Sequence, residues 1–536
     1  MRNIVSILCL SGLLSCTACQ NFFDVEPNNI LKEDQNYHEY YEVYSSFIGN
    51  AVRFQEAAEH YIVLSELMGG LTTPTSNAPV ELWDIFRFQA GNGNKSVAPD
   101  PYYKLIINCN DFIRHALQYE KENPGAIPVN VLEGMISEAI RYRAWSYLTL
   151  GKLYGKALYH DYSLSDYTDL GRGQMLAFND LIDQVIYSME NGFNGIDGKK
   201  SLVWRDITNI QGDEWIRFGV NPNALLGELY LWKGDYYTAF EFLQNVIKNG
   251  NGDFIVKKSG NYSDIFTNSI ASNLQELVTV VPFDAIKQQQ NKLQYYFSNI
   301  SPNVYYLKPA SRLNELFDIQ EWKIDAAEGT GDKTRKQINI GVENGDTVVI
   351  KYHRGKAPHE RDHYIPIYRA AEIHLMIAEA LNHCDLQEEA MAFLNDGVIQ
   401  YVTPGGFLKR PFNSPLYSPL LVENAGVRGR VNLKRHVLPE KVKLDGTEQL
   451  VSSLPEEQQM LIKRQQIDSL ILNEYTLELA FEGKRWGALI RMGRYWGSDF
   501  VTGLIKEKFP VNEREKYTEF LESKENWFIP YDPLKN

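Results

Sequence analysis

Two groups of residues in this 536-residue chain have the types and spacing of catalytic groups. His359-Glu360-Arg361-Asp362-His363 spells the HExxH pattern of zinc proteases, in which two histidines one helical turn apart bind metal and the glutamate activates water. That chemistry needs a stable helix. Pro358 precedes the motif, Pro366 follows it closely, and Arg361 and Asp362 offer no apolar face to bury, so the segment reads as a solvated loop and no metal is expected. The second group is Glu474, Glu478 and Glu482, at four-residue spacing on one face of an expected helix. A glycosidase acid and nucleophile normally face each other across a cleft from different elements, whereas carboxylates stacked along one helix repel unless cations answer them. Lys463, Arg464, Lys484, Arg485 and Arg491 are candidate partners, and the expected role is a structural ion-pair network. No Gly-x-Ser-x-Gly, Walker loop or dinucleotide fingerprint occurs, so no catalytic residue and no cofactor are assigned and the chain reads as a non-enzyme.

Binding is the remaining chemistry. The chain carries 32 Tyr, 25 Phe and 9 Trp, whose rings suit the faces of sugars or peptides and suit helix packing equally. With 54 basic and 68 acidic residues and no Lys/Arg cluster interleaved with aromatics, nucleic acid is not an expected partner. Trp83 stands in an aromatic segment between two polar loops, which makes it the first residue to suspect of touching a ligand.

The elements that would position these residues begin after a leader. Arg2 gives a positive start, residues 4–14 form an apolar run too short to span a bilayer, and Leu13-Leu14-Ser15-Cys16 follows as a lipobox. Cys16 is the expected lipidation site, with Cys19 the alternative. The cysteines left in the body, Cys109 and Cys384, lie in helical patterns and read as buried free thiols. A tyrosine stripe over Tyr37, Tyr40, Tyr41 and Tyr44 predicts a helix with those rings in the core, and further helices are expected at 102–120, 130–154 and 175–190. Residues 223–249 read as two helices broken at Gly234-Asp235, with Leu226, Gly227 and Tyr230 and then Ala239, Leu243 and Val246 at tetratricopeptide-repeat spacing. A second copy starts at 368, with Ala378, Leu381, Ala390 and Leu394 in the same register. A strand over 276–283, an irregular tyrosine-bearing region over 289–306, a hairpin at Asn344-Gly345, a Pro-rich surface insertion at 403–419 and a last helix over 456–492 complete the pattern. The expected fold is mainly α: tetratricopeptide-like helical repeats with irregular loop-rich insertions and a small β-hairpin.

Several stretches in order resemble the SusD/RagB family of outer-membrane lipoproteins of the Bacteroidetes. They are the Cys followed by Phe22-Phe23-Asp24-Val25-Glu26-Pro27, the helix from Arg141 towards Gly155, Leu229 to Tyr236, Ile365-Pro366-Ile367-Tyr368-Arg369, Val427-Arg428-Gly429-Arg430, and Glu478 through Trp486. The chain departs from the family near Gln320-Glu321-Trp322-Lys323 and lacks the usual Gln-Asn-Pro-Gly-Tyr end. The resemblance implies a signal peptide at 1–15, a lipidated (palmitate-bearing) tether at 16–35 and one SusD-like domain at 36–536, divided near 250. It also implies attachment to the outer membrane, a SusC-like TonB-dependent transporter as partner, and capture of an oligosaccharide, or in the RagB manner a peptide. The candidate ligand-binding residues are Trp83, Asp84, Phe86 and Arg87 in the early segment, and Tyr295, Tyr296, Tyr305 and Trp322 in the central region. Core packing competes with ligand contact for each.

Overall fold

The computed structural model of the chain describes residues 37–164, 171–191, 218–250, 252–257, 262–267, 275–283, 289–352, 363–398 and 423–530. The leader, Cys16, Cys19, the tether and the Pro-rich stretch at 403–419 lie outside the described residues.

The fold is mainly α-helical, and every sheet among the described residues has two strands. The opening repeat forms helices Pro222–Lys233 and Tyr236–Asn249, and its boundaries follow from local chemistry. The Asn221 side chain accepts the Ala224 N–H at 3.1 Å, and Pro222 sits in the first turn, where a missing N–H costs nothing. Gly234 then takes a left-handed φ of 83°, and Asp235 starts the next helix by accepting the Thr238 N–H at 3.1 Å. The helices cross at Gly227, where an added Cβ would stand 2.6 Å from the buried Leu243 side chain. The second pair, Ala370–His383 and Gln387–Asn395, stacks on the first: helix 236–249 packs along helix 370–383, and the Tyr236 ring stacks on His383 with centroids 4.1 Å apart. Each pair thereby covers an apolar face that it cannot bury alone. Helices Tyr40–Gly69, Asp100–Glu122, Val129–Tyr154 and Phe178–Asn191 extend the stack on the N-terminal side, each packing on the next. A large hydrophobic cluster runs from Val43 to Ile529, and a smaller one gathers Tyr262, Ile265, Phe266, Leu277, Val280, Ile338 and Tyr364.

The structure corrects several expectations. The early tyrosine stripe is not core. Along helix 40–69 the buried line is Val43, Phe47, Asn50 and Phe54; Tyr44 and Ile48, one residue on, are rotated by about 100°, and Tyr40 and Tyr41 are each 56% exposed. The helix expected from 175 starts at Phe178, because Gln174–Ala177 is a strand paired antiparallel with Lys156–Tyr159. The last long helix is two. Glu456–Glu478 ends, Phe481 and Gly483 take φ of 68° and 75°, and Arg485–Trp496 follows. The break lets Gly483 press on helix 40–69, where its Cβ position lies 3.1 Å from Ile62 Cα and Glu66 accepts its N–H at 2.7 Å. Glu482 therefore sits in a turn rather than on the helix face. The Asn344-Gly345 hairpin forms as expected, with φ of 49° and 88° joining Ile340–Glu343 to Asp346–Val349. Hairpins Glu321–Ile324 with Ala327–Thr330 and Lys441–Leu444 with Thr447–Leu450 were not foreseen, although the Asp445-Gly446 pair in the second is a turn signal. Cys109 is buried and Cys384 half-buried, both free.

Glu66 is 1% exposed, and burial pushes its carboxyl up to about 8 from 4.5. A carboxyl raised in the folded state costs nothing below its unfolded value and subtracts stability as pH climbs from there through the folded value. Glu66→Gln keeps an acceptor for Gly483. Its melting temperature should therefore match wild type near pH 4.5 and exceed it by several degrees near pH 9, whereas an equal difference at both pH values would refute the assignment.

Candidate functional site

The early aromatic segment and the central tyrosine region meet in space. Strand Thr72–Pro74 pairs antiparallel with Leu307–Pro309, and the zipper continues beyond it. Thr75 donates its N–H to the Tyr306 carbonyl at 2.8 Å and its hydroxyl to the Tyr305 carbonyl, 230 residues away, at 2.5 Å. Pro79 fixes the entry to the short helix Val80–Phe86, which carries Trp83. Trp83 and Phe86 form part of the wall of a cleft of about 550 Å³, within the range of small-ligand sites. The opposite walls come from Ser311 and Arg312 at the start of helix Ser311–Asp318, from Asn473 and Thr476 on helix Glu456–Glu478, and from Arg485 and Lys508. A larger cavity of about 720 Å³ is lined by Phe88, Tyr154, Lys156, Phe520 and Phe528 among others, and none of the residues singled out in the sequence reaches it.

The candidate residues divide. Trp83 is half-buried, with the Arg87 guanidinium 5.0 Å above its ring and Phe86 edge-on at 6.1 Å. Phe86 is itself buried, Asp84 half-buried outside the cleft lining, and Arg87 exposed. Tyr295 and Tyr296 lie on helix Lys292–Phe297, with ring centroids 6.1 Å apart; Tyr296 packs on Tyr306 at 5.2 Å. They flank the zipper without lining the cleft. Tyr305 is 8% exposed, and its hydroxyl donates to the Thr347 carbonyl at 2.8 Å, so it braces the 340–349 hairpin instead of offering a binding face. Trp322 is carried off on its own hairpin, its ring over Gly329 and its N–H donated to the Thr330 carbonyl at 3.3 Å. Sequence reasoning missed Arg312 and Lys508 as cleft residues, and it offered Arg485 as a partner of the glutamates; no local motif marks any of the three as lining a cleft.

Solved structures of SusD-superfamily proteins superpose on nearly the whole chain. One from Bacteroides vulgatus is 13% identical, matches 92% of this chain and 96% of its own, and gives a TM-score of 0.64. The chain has the SusD-superfamily fold. NanU of B. fragilis matches at 16% identity over 89% and 93% of the two chains with a TM-score of 0.56, and a laminarin-binding SusD-like protein at 14% over 89% and 95% with 0.54. No family model matches the sequence, and neither does any curated protein.

The SusD-like frame also explains the three glutamates. Glu474 accepts from Arg335 at 2.8 Å, Arg428 at 2.6 Å and His436 at 2.9 Å. Glu478 accepts from Arg369 at 2.8 Å, Arg335 at 3.3 Å and Arg430, while Glu482 binds Arg369 at 2.8 Å and Lys351 at 2.6 Å. Asp332 on Arg335 and Glu276 on Arg430 complete the array, so Glu276, Asp332, Glu474, Glu478 and Glu482 answer Arg335, Arg369, Arg428, Arg430 and Lys351. An ion-pair network is what the glutamates form, but its cations are not the expected ones. Lys484 pairs with Glu372 at 2.9 Å, Arg491 with Glu379 at 2.7 Å and Arg464 with Asp385, while Arg485 bonds neutral oxygens. Burial opposes the charge on Glu474, yet Arg335, Arg428 and His436 outweigh it and hold that carboxyl well below the usual range; Glu478 and Glu482 are lowered in the same way by their arginines. These carboxylates are fully enclosed among their cations and line none of the described clefts. Of the HExxH stretch, residues 359–362 lie outside the described residues, and His363 opens a strand paired with Phe283, so the pattern does not continue as the helix a zinc pair requires.

Removing one partner from such an array leaves buried charges unanswered, at a cost of about 3–5 kcal/mol. Glu478→Gln should destabilise the protein by that order in denaturant titration at neutral pH. Because these carboxyls are depressed, the stability they contribute is present above the unfolded value of 4.5 and fades as pH falls through their folded values. The wild-type to variant difference should accordingly shrink in acid, and a difference under about 1 kcal/mol at neutral pH would show that the array is not essential.

Proposed function

We propose that this chain is a non-enzymatic capture protein of the bacterial surface: anchored by lipid at Cys16, or alternatively Cys19, it holds an oligosaccharide and hands it to a SusC-like TonB-dependent transporter in the outer membrane. The observation that carries the reading is Trp83 on the wall of the cleft, its half-buried ring facing a space edged by Thr73, Ser311 and Asn473. A saccharide needs that combination, an apolar plane for the ring face and short polar groups for the hydroxyls. A protein of the same fold is a laminarin-binding SusD-like protein, which supports glycan as the ligand class. The lipobox supports the anchor, and among the described residues no helix is long and apolar enough to cross a membrane by itself. The neutralised glutamate array supports capture without turnover. Tyr295 and Tyr296, beside the zipper, are assigned to a flanking contact with a longer chain.

Trp83→Ala should lose retention on glycan-containing affinity gels while its melting temperature stays within a few degrees of wild type, and Tyr295→Ala should weaken retention less. Unchanged retention in Trp83→Ala removes the cleft from the reading. Binding to a peptide library with none to a glycan array would replace the oligosaccharide with a peptide. Turnover of a captured polymer would overturn the non-enzymatic assignment.

A further inference from the structure

The lining of the cleft beside Trp83 carries three basic residues and one acidic one, in a protein whose formal balance is −14. Arg312, Arg485 and Lys508 line it against one acidic lining residue, Glu507, and that carboxylate is taken by Arg312 at 2.6 Å; Glu315 holds the same guanidinium at 3.0 Å. Arg485 and Lys508 have no carboxylate partner among the described residues. Arg485 spends three N–H groups on neutral oxygens, those of Thr476 at 2.8 Å, Leu504 at 3.0 Å and Gly69, leaving two of its five donors. Lys508 Nζ has one hydrogen bond, to the Met68 carbonyl at 3.3 Å, and otherwise lies over the rings of Phe86 at 4.6 Å, Phe88 at 4.2 Å and Phe509 at 5.2 Å. Burial and the neighbouring Arg485 push the Lys508 amine well below the ordinary lysine value, while the three ring faces favour its charged form. Two carboxyls act on Arg485 from beyond hydrogen-bond distance: Glu66, which burial raises to about 8, and Glu507, which Arg312 binds.

Elsewhere in this molecule Arg335, Arg369, Arg428, Arg430 and Arg491 are met by carboxylates at hydrogen-bond distance, while the buried Arg143 bonds the neutral oxygens of Asn110 at 2.7 Å and Ser188 at 3.0 Å away from any described cleft lining. Arg485 has donors to spare and no carboxylate at hydrogen-bond distance, and beside it lies the Lys508 amine, whose charged form burial and Arg485 disfavour; an oxyanion entering the open cleft would favour that charged form and gain charge-assisted hydrogen bonds in a partly dry setting. We propose that the Arg485–Lys508 wall binds the oxyanion of an acidic oligosaccharide, a uronate carboxylate or a sulfate ester, while an adjoining sugar face rests on Trp83. This rests on the oligosaccharide reading above and specifies its substrate class.

Calorimetric titration of the full chain at neutral pH and low salt, with uronate and sulfated oligosaccharides and their carboxyl-reduced or desulfated counterparts, tests it. The charged member of at least one pair should bind ten-fold or more tighter than its neutral counterpart, and which pair does so separates carboxylate from sulfate. Lys508→Met, which leaves an apolar side chain among the three rings, should bring that ratio close to one with no loss of melting temperature; Lys508→Arg should keep most of the preference. Wild type that binds neutral sugars as tightly as charged ones overturns this proposal and leaves the capture reading standing, as does an unaltered ratio in Lys508→Met. Wild type that binds no saccharide of either kind overturns both, and tight binding of acidic peptides alone transfers the wall to a peptide carboxylate and refutes the glycan.

Discussion

Charge neutralisation inside the molecule is the constraint that ties its distant segments together. Glu474, Glu478 and Glu482 are buried completely or nearly so, and a carboxylate taken out of water costs several kcal/mol unless cations answer it with good geometry. The answering groups arrive from four places: Arg335 from helix Lys333–Asn339, Lys351 from the end of the 340–349 hairpin, Arg369 from the strand before the second repeat, and Arg428 and Arg430 from the turn at 428–431. That turn can approach because Gly426 and Gly429 lie against the backbone of Asn395 and Asp396, within 2.6 Å of any added Cβ. Gly426 also holds a left-handed φ of 69°. A substitution there would therefore separate two arginines from the array without touching a charge. The array does more than stabilise; it sets where the insertions sit on the helical repeats, since each must be placed within hydrogen-bond range of Glu474 and Glu478 on one helix or of Glu482 in the turn that follows it.

That helix has a second use. Thr476 and Asn473 reach the cleft, while Glu474 and Glu478 reach the array. Residues two apart on a helix are separated by about 200°, so the alternation of 474, 476 and 478 puts the neutralised carboxylates and the cleft on opposite sides of the same rod. The Gly483 break then turns the chain back, so that Arg485 bonds Thr476 and the carbonyl of Gly69 together and closes the cleft against helix 40–69. The ion-pair array and the cleft are thus adjacent in sequence and separated in space.

The repeats were legible because their determinants are local: Gly234-Asp235 and the small residue Gly227 state where helices break and cross within a few residues of one another, while the Asn221-Pro222 start lies just outside the stretch expected from 223. The Asn344-Gly345 hairpin was legible for the same reason. The cations of the array were not, because sequence proximity pointed to Lys463, Arg464 and Arg485, while Arg335 is 139 residues from Glu474 and Arg369 is 109 from Glu478. Three-residue strands such as 72–74 and 307–309 carry too few positions for an alternating pattern, so the zipper that unites the two aromatic regions left no signal. Tyr305 illustrates the limit of composition: an aromatic in an irregular region looks like a binding face until its hydroxyl is found bonded to Thr347. Trp83 was singled out because it stands between two polar loops, and the structure sets it on the lining of the cleft.

Two settings for basic side chains therefore coexist, one enclosed in the array and one half-buried on the cleft wall, and their difference is informative. Inside the array every guanidinium meets carboxylates, and the cost of desolvation is returned within the protein. At the cleft wall Arg485 meets carbonyl and hydroxyl oxygens, and Lys508 meets ring faces, which offset only part of the same cost, about 0.5–2 kcal/mol for a cation over an aromatic ring. The folded chain tolerates that deficit because the array and the continuous core carry its stability. A deficit placed on an interior surface would be strain alone. Placed on a cleft wall that also carries a tryptophan, it is recoverable by whatever negative group enters, which makes the same residues a cost to the free protein and a contribution to its complex.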